Sequence, residues 1–241
     1  MNKERQHQGE FEYTRFDSRR DTYYKALNQY RDMNIPIQDL IENFTCFTGH
    51  MSLSRYLGLY ELYKQTLGVA GHIGEVGTYK GASFFLFAKL IKIFESESLT
   101  QVHGFDWFGG METDNIAEFK VEKGCYQADE ETVRNLIKIQ ELENIAFLHK
   151  IDVTKELDNF LNKYKHLQFK LLFLDAGLYE VVSIALPLLW ERLTPGGILV
   201  LDQYNHELSP GETMAVREIL PNAKVRTLPN IWMPTAYIVK E

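Results

Sequence analysis

Acids stand where five short apolar runs end: Glu75, Asp106, Asp152, Asp175 and Asp202. If those runs are parallel strands, the five carboxylates share one rim, since open α/β sheets bind ligands outside the carboxyl ends of their strands. The run around the first acid is Gly71-His72-Ile73-Gly74-Glu75-Val76-Gly77-Thr78-Tyr79-Lys80-Gly81-Ala82-Ser83. It reads as a buried strand, a glycine turn and the start of an apolar helix. Gly77 and Gly81 let backbone approach a ligand, and the helix start at Ser83 offers unpaired N–H groups. The spacing is Glu-x-Gly-x-x-x-Gly, which differs from the dinucleotide fingerprint G-x-G-x-x-G. A carboxylate at Glu75 repels a pyrophosphate and welcomes an ammonium. S-adenosylmethionine carries one beside its sulfonium.

The next acids extend that pocket. Asp106, after the second strand, is placed to accept hydrogen bonds from a ribose diol, and Trp107 or Phe108 to cover a purine ring. Asp152, after the third, can accept from an adenine amino group or cap the helix that follows Thr154. Tyr79 lies inside the turn, against the methionine moiety. Lys80 reads as a solvated turn residue.

Strands are expected at 72–75, 101–105, 145–150, 171–175, 197–202, 224–227 and 236–240. Helices are expected between them at 81–94, 130–140, 155–164, 179–192 and 211–220. Leu171-Leu172-Phe173-Leu174 and Ile198-Leu199-Val200-Leu201 are continuously apolar, as parallel strands buried on both faces must be. This alternation implies an α/β fold, a doubly wound and mostly parallel seven-stranded sheet with helices on both faces. The last two strands lack a helix between them and are expected as an antiparallel pair at the edge. Residues 1–67 form an N-terminal helical cap, charged and frayed to about residue 20 and divided at Pro36, and residues 68–241 form the cofactor-binding domain. The stretch from Trp107 to Asp129 is the longest irregular segment and reads as a lid, with Tyr126 and Gln127 within it as candidate acceptor contacts.

Composition narrows the partners. A net charge of −7 argues against a nucleic-acid groove, which needs a face rich in lysine and arginine. Cys46 and Cys125 are the only cysteines, without metal-ligand spacing, and are expected as free thiols in a reducing cytoplasm. No apolar leader and no run long enough to span a membrane is present, so a cytoplasmic chain is expected. The aromatic-rich cap is a surface on which a homo-oligomer can form.

Three further segments carry a family resemblance. Phe105-Asp106-Trp107-Phe108-Gly109-Gly110-Met111, Phe173-Leu174-Asp175-Ala176-Gly177-Leu178-Tyr179-Glu180 and Leu193-Thr194-Pro195-Gly196-Gly197-Ile198-Leu199-Val200-Leu201-Asp202-Gln203-Tyr204 resemble the macrocin O-methyltransferase family. Glu75–Gly81 is similar to that family's cofactor turn, and Gly49-His50-Met51-Ser52 with Arg55 to its lid segment. The resemblance spans roughly residues 45–205. It implies the class I methyltransferase fold, S-adenosylmethionine as methyl donor and a sugar or glycoside hydroxyl as acceptor, in natural-product or surface-polysaccharide biosynthesis. By position, Glu75, Gly77 and Gly81 would border methionine and ribose, and Asp106 would hold the ribose hydroxyls. Asp175 and Asp202 would ligate a divalent cation beside the acceptor. The family has acids where this chain has Gly177 and Gln203. An amide oxygen can still ligate a hard cation, so Asp175, Asp202 and Gln203 are the candidate Mg²⁺ ligands.

A sugar hydroxyl is a poor nucleophile at neutral pH and needs a base, a metal or both. Asp175 is the first candidate base, beside the donor as well as the metal. His206, whose imidazole titrates near neutrality, is the second, and His50 is a lid contact. Two other readings compete: a module that binds S-adenosylmethionine without catalysis, and a nicotinamide-dependent dehydrogenase, which the Glu75 turn disfavours.

Overall fold

The computed structural model describes residues 17–111, 124–206, 209–229 and 231–241. The expected frayed start, up to residue 16, and the middle of the expected lid, 112–123, lie outside the described residues.

Among the described residues, six strands form one sheet: β1 (His72–Val76), β2 (Val102–Asp106), β3 (Ala146–Lys150), β4 (Phe169–Leu174), β5 (Leu193–Leu201) and β6 (Ala236–Val239). Their order is β3-β2-β1-β4-β5-β6, with only β6 antiparallel. The chain leaves β1 towards β2 on one side and reaches β4 on the other, so the switch point of the sheet lies between β1 and β4. That is where a ligand crevice opens in this class of sheet.

The sequence led us to expect seven strands. The segment at 224–227 pairs at one residue only, Arg226, which exchanges backbone hydrogen bonds with Tyr237 (2.9 and 2.8 Å). Pro229, two residues beyond Thr227, has no N–H to continue a ladder. The antiparallel edge pair is therefore reduced to a bridge.

Among the described residues, four helices precede the sheet: α1 (Asp17–Asp32), α2 (Ile37–Glu42), α3 (Phe44–Phe47) and α4 (His50–Gln65). Pro36 caps α2 as expected from its fixed φ, but Asn43 and Gly49 add two further breaks. Among the described side chains of these helices, those of α4 enter the core, through Leu59, Leu62 and Tyr63.

Helix α5 (Ala82–Phe94) follows β1, α6 (Glu130–Ile139) follows β2, α7 (Val153–Lys163) follows β3, and α8 (Tyr179–Arg192) and α9 (Gly211–Ile219) flank β5. One core joins α4, α5 and α6 to the sheet through Phe84, Phe87, Ile91, Val133 and Ile137. The other joins α7, α8 and α9 through Leu157, Leu161, Ala185, Leu186, Leu189 and Val216. The all-buried pattern of β4 follows from this double cover. Among the described residues, no helix is long and apolar enough to cross a membrane. Neither Cys46 nor Cys125 forms a disulfide.

Candidate active site

The turn after β1 is shaped by close packing before any ligand is considered. Gly77 has φ +90°, and a Cβ there would lie 2.2 Å from the Asp175 carbonyl oxygen. Glycine at this position thus lets the chain leaving β1 run against the end of β4. Gly81 (φ +87°) caps α5 in the left-handed region. Tyr79, at φ 52°, adopts the same region and turns its N–H onto Asp106 Oδ2 (2.7 Å).

Glu75 is completely buried. Its Oε1 accepts from the Ser83 hydroxyl on the first turn of α5, while Oε2 has no partner. Burial pushes the carboxyl up to about 8; the Ser83 hydrogen bond pulls the other way, and the Asp175 charge adds to the rise. A buried, half-satisfied acid costs stability unless a cation or donor completes it, and an ammonium does both. The Thr78 hydroxyl, also buried, is a second unpartnered group beside it in the turn. This turn fits the amino-acid end of S-adenosylmethionine.

Asp106 is fixed by two backbone donors, Tyr79 N and Phe108 N, each at 2.7 Å. Every carboxylate oxygen has two lone pairs, so both oxygens retain accepting capacity for a diol. Of the two adjacent aromatics, Phe108 is core, whereas Trp107 is 40% exposed with its Nε1 donating to Gly110 O (2.8 Å). Asp152 is engaged as the helix cap: Oδ1 accepts from Thr154 N (3.0 Å) and Thr154 Oγ1 (2.6 Å), and Oδ2 from Lys155 Nζ (2.6 Å). The cap, weighed from sequence as the competing role, is the one this geometry displays.

Asp175, Asp202 and Gln203 come together, as expected from adjacent parallel strands. What holds them was not expected. Arg55, on α4, donates through one guanidinium nitrogen to Asp202 Oδ1 and through the other to Asp175 Oδ2 (2.6 Å). Gln203 Nε2 donates to Asp202 Oδ2 (2.8 Å) and Asp175 Oδ1 (3.3 Å). Each of the four carboxylate oxygens therefore has a donor. The guanidinium also lies over the Phe173 ring, 5.3 Å from its centroid. Burial works against its charge, but Asp202 and Asp175 outweigh that and hold it protonated. Burial, followed by the nearby Asp175 charge, raises Asp202 well above the ordinary carboxylate range despite Arg55.

Glu212, in the first turn of α9, is fully buried behind this group and accepts from Gln203 N (2.9 Å). Its Oε2 and the Gln203 Oε1 have no partner. Among the described residues, no group of three or more His, Cys, Asp or Glu could hold a metal ion. The Asp175–Asp202–Gln203 set does not fit Mg²⁺ in this arrangement, because the Arg55 cation already bridges the two carboxylates and would repel a dication, and Gln203 turns its N–H groups rather than Oε1 towards them.

Sequence reasoning named Arg55 only within the lid segment and missed Glu212. A lone arginine in a helix has no spacing signal, and an acid in a first helical turn reads as complementing the dipole. His206 sits in the turn after Gln203, with its N–H on the Gln203 carbonyl (3.2 Å). Across the crevice, the two ends of the expected lid are tied: Met111 N donates to Cys125 O (2.7 Å) and Gly124 N to Met111 O (3.0 Å). Tyr126 then meets Tyr79 edge-on at 5.7 Å.

A family model described as a methyltransferase domain matches residues 75–204, from the Glu75 turn to just past Gln203. The chain belongs to this methyltransferase family. It is a class I S-adenosylmethionine-dependent methyltransferase, and the dehydrogenase reading falls. The methyltransferase fold here is similar to that of the calicheamicin methyltransferase CalS11, at 25% identity and TM-score 0.81 over 91% of each chain. An apo structure of CalS11, described as a TDP-rhamnose 3'-O-methyltransferase of calicheamicin biosynthesis, gives 25% identity and TM-score 0.75 over 91% of this chain and 93% of that one. The O-methyltransferase NovP shares the fold at 19% identity and TM-score 0.60, over 78% and 79% of the two chains. No curated protein sequence matches this methyltransferase.

Proposed function

We propose that this methyltransferase transfers the methyl group of S-adenosylmethionine to a hydroxyl of a small sugar or glycoside, in the manner of the macrocin-type O-methyltransferases. One observation carries the reading: a carboxylate, Asp175, stands part-exposed at the switch point of the sheet, one strand over from the buried Glu75. The reciprocal coverage of CalS11, which acts on a nucleotide-linked deoxysugar, supports a sugar as the acceptor class.

The donor supplies an electrophilic methyl on a sulfonium, so the chain must align a hydroxyl with it and remove one proton. Alignment of this kind is worth about 7–11 kcal/mol. Glu75 and the turn to Gly81 hold the methionine end, with Tyr79 against it, and Asp106 the ribose; Trp107 flanks the ring. Asp175 receives the hydroxyl proton. Arg55 and Gln203 fix its orientation, and His206 is the alternative acceptor for that proton. No step is assigned to a metal. Acceptor specificity is assigned to the described parts of the cap and of the irregular segment, residues 17–67, 107–111 and 124–129.

The test is a product-mass assay with S-adenosylmethionine against nucleotide-activated deoxysugars and glycosides, beside calorimetry with S-adenosylhomocysteine. A mass gain of one methyl on a sugar hydroxyl is expected. Methylation confined to nitrogen, or to non-sugar acceptors, would overturn the acceptor class.

A further inference from the structure

We propose that Arg55 is the cation of this active site: its guanidinium takes the place a divalent metal ion would need, so the enzyme binds none there. The inference rests on the methyl-transfer reading above, and it goes beyond it by assigning a residue and excluding an ion.

Four side chains make a closed ring. Arg55 bridges Asp202 to Asp175 on one side, and the Gln203 amide bridges the same two carboxylates on the other. Each carboxylate oxygen keeps a second lone pair, but a divalent ion taking it would sit against the guanidinium that already bridges the same two carboxylates, like charge against like. Charge tells the same way. Two carboxylates and one guanidinium leave at most a single negative charge, and it falls on the part-exposed Asp175 rather than on the buried Asp202. Arg55 is 20% exposed and Asp202 only 2%, so the pair is screened little by solvent. A planar fork can engage two carboxylates at once, which a lysine ammonium cannot do with the same geometry. The Phe173 ring covers one face of the fork and stops it turning away.

Two groups gain a purpose from this arrangement. Gln203 Oε1 is buried and without a partner, although its amide nitrogen is fully used. It is the acceptor left over once the amide has been turned towards the aspartates, and a hydroxyl of the sugar can donate to it. Asp175 is the more exposed of the two ring acids, at 24%, and is the one open to the acceptor. Arg55 is thus a positioning residue. It holds Asp175 in orientation and offsets the charge of Asp202 behind it.

Mn²⁺ titration of the full chain, followed by electron paramagnetic resonance, tests this directly with the metal alone as probe. The wild type is expected to leave Mn²⁺ free, with and without S-adenosylhomocysteine. Its turnover should be unchanged in excess EDTA. In Arg55→Met, turnover should fall about a hundredfold, as on removal of a preorganised donor, while a bound-Mn²⁺ signal appears. That signal should vanish again in Arg55→Met combined with Asp202→Asn. A folding role alone would produce no new metal signal. Should Arg55→Met fail to fold, the wild-type titration still decides. Stoichiometric Mn²⁺ binding by wild type that is lost in Asp202→Asn, or EDTA-sensitive turnover, overturns the proposal. Failure to bind S-adenosylhomocysteine would instead sink the methyl-transfer reading, and the two failures are distinct.

Discussion

The Ser83 hydroxyl donates to one oxygen of Glu75, and the other oxygen of that fully buried carboxyl is left without a partner. Burial raises the group to about 8, so at neutral pH it holds a proton until a ligand cation arrives. Binding of the cofactor's ammonium should expel that proton. Calorimetry with S-adenosylhomocysteine in buffers of different ionisation enthalpy should show release of about one proton per site at pH 7, and affinity should tighten as pH rises from about 6 to about 8. Glu75→Gln should bind more weakly and release none. Buffer-independent heats would refute the linkage.

Asp175→Asn separates chemistry from binding. Turnover should drop by about 10²–10⁴, the range of a lost general base, with S-adenosylhomocysteine affinity little changed. Near-normal activity would remove Asp175 from the mechanism and leave His206 as the base.

A second buried charge sits at the opposite end of the strands. Lys170 of β4, 1% exposed, donates to Glu95, which also accepts from Tyr63 Oη (2.5 Å) and Thr100 Oγ1 (2.9 Å). Removing one partner strands the other in the core. Lys170→Met alone should therefore lower stability by about 3–5 kcal/mol in urea unfolding, and Lys170→Met with Glu95→Gln should recover part of it. Equal losses in the single and double variants would show the two charges to be uncoupled.

Three histidines cross one face of the sheet: His103 Nδ1 lies 3.0 Å from His149 Nε2, and the His72 ring meets His103 at 5.3 Å. Burial, then the neighbouring histidines, pushes His103 down to about 3; burial, then Arg134, pushes His149 to about 4. Both fold neutral. As pH falls below about 6.5 the unfolded chain takes up protons that the folded chain refuses, so stability declines from there towards about pH 4. His103→Phe should shrink the loss of Tm between pH 7 and pH 5 relative to wild type. An unchanged difference would rule the histidines out.

Much of the frame could be read from residue patterns. Continuous apolar runs marked β4 and β5, and the glycine turn marked the junction of β1 with α5, because both signals are local. The convergence of Asp175 with Asp202 followed from 27 positions and one intervening helix. The partners of those acids did not follow, since Arg55 lies 120 residues before Asp175 and pairs with it only through tertiary packing. Lys170 escaped for a related reason: a lysine within an apolar strand looks like a strand boundary until Glu95 is placed beside it. The seventh strand failed on pairing, which no single segment specifies. Asp152 had two readings with one local pattern, and only the partners of its oxygens distinguish them.

Helix α4 is fastened along its length. Arg55 ties it to the rim, the Met51 carbonyl accepts from Trp232 Nε1 (3.1 Å), Gly58 packs beneath Ile231, and Tyr63 anchors the far end through Glu95. Arg55 and Tyr63 are eight residues apart, about 12 Å along the helix. A rod bolted at both ends cannot serve as a swinging door. The nearest break in the helical backbone lies upstream, at Thr48 and Gly49, both extended, where α3 and α4 meet outside the fastened stretch.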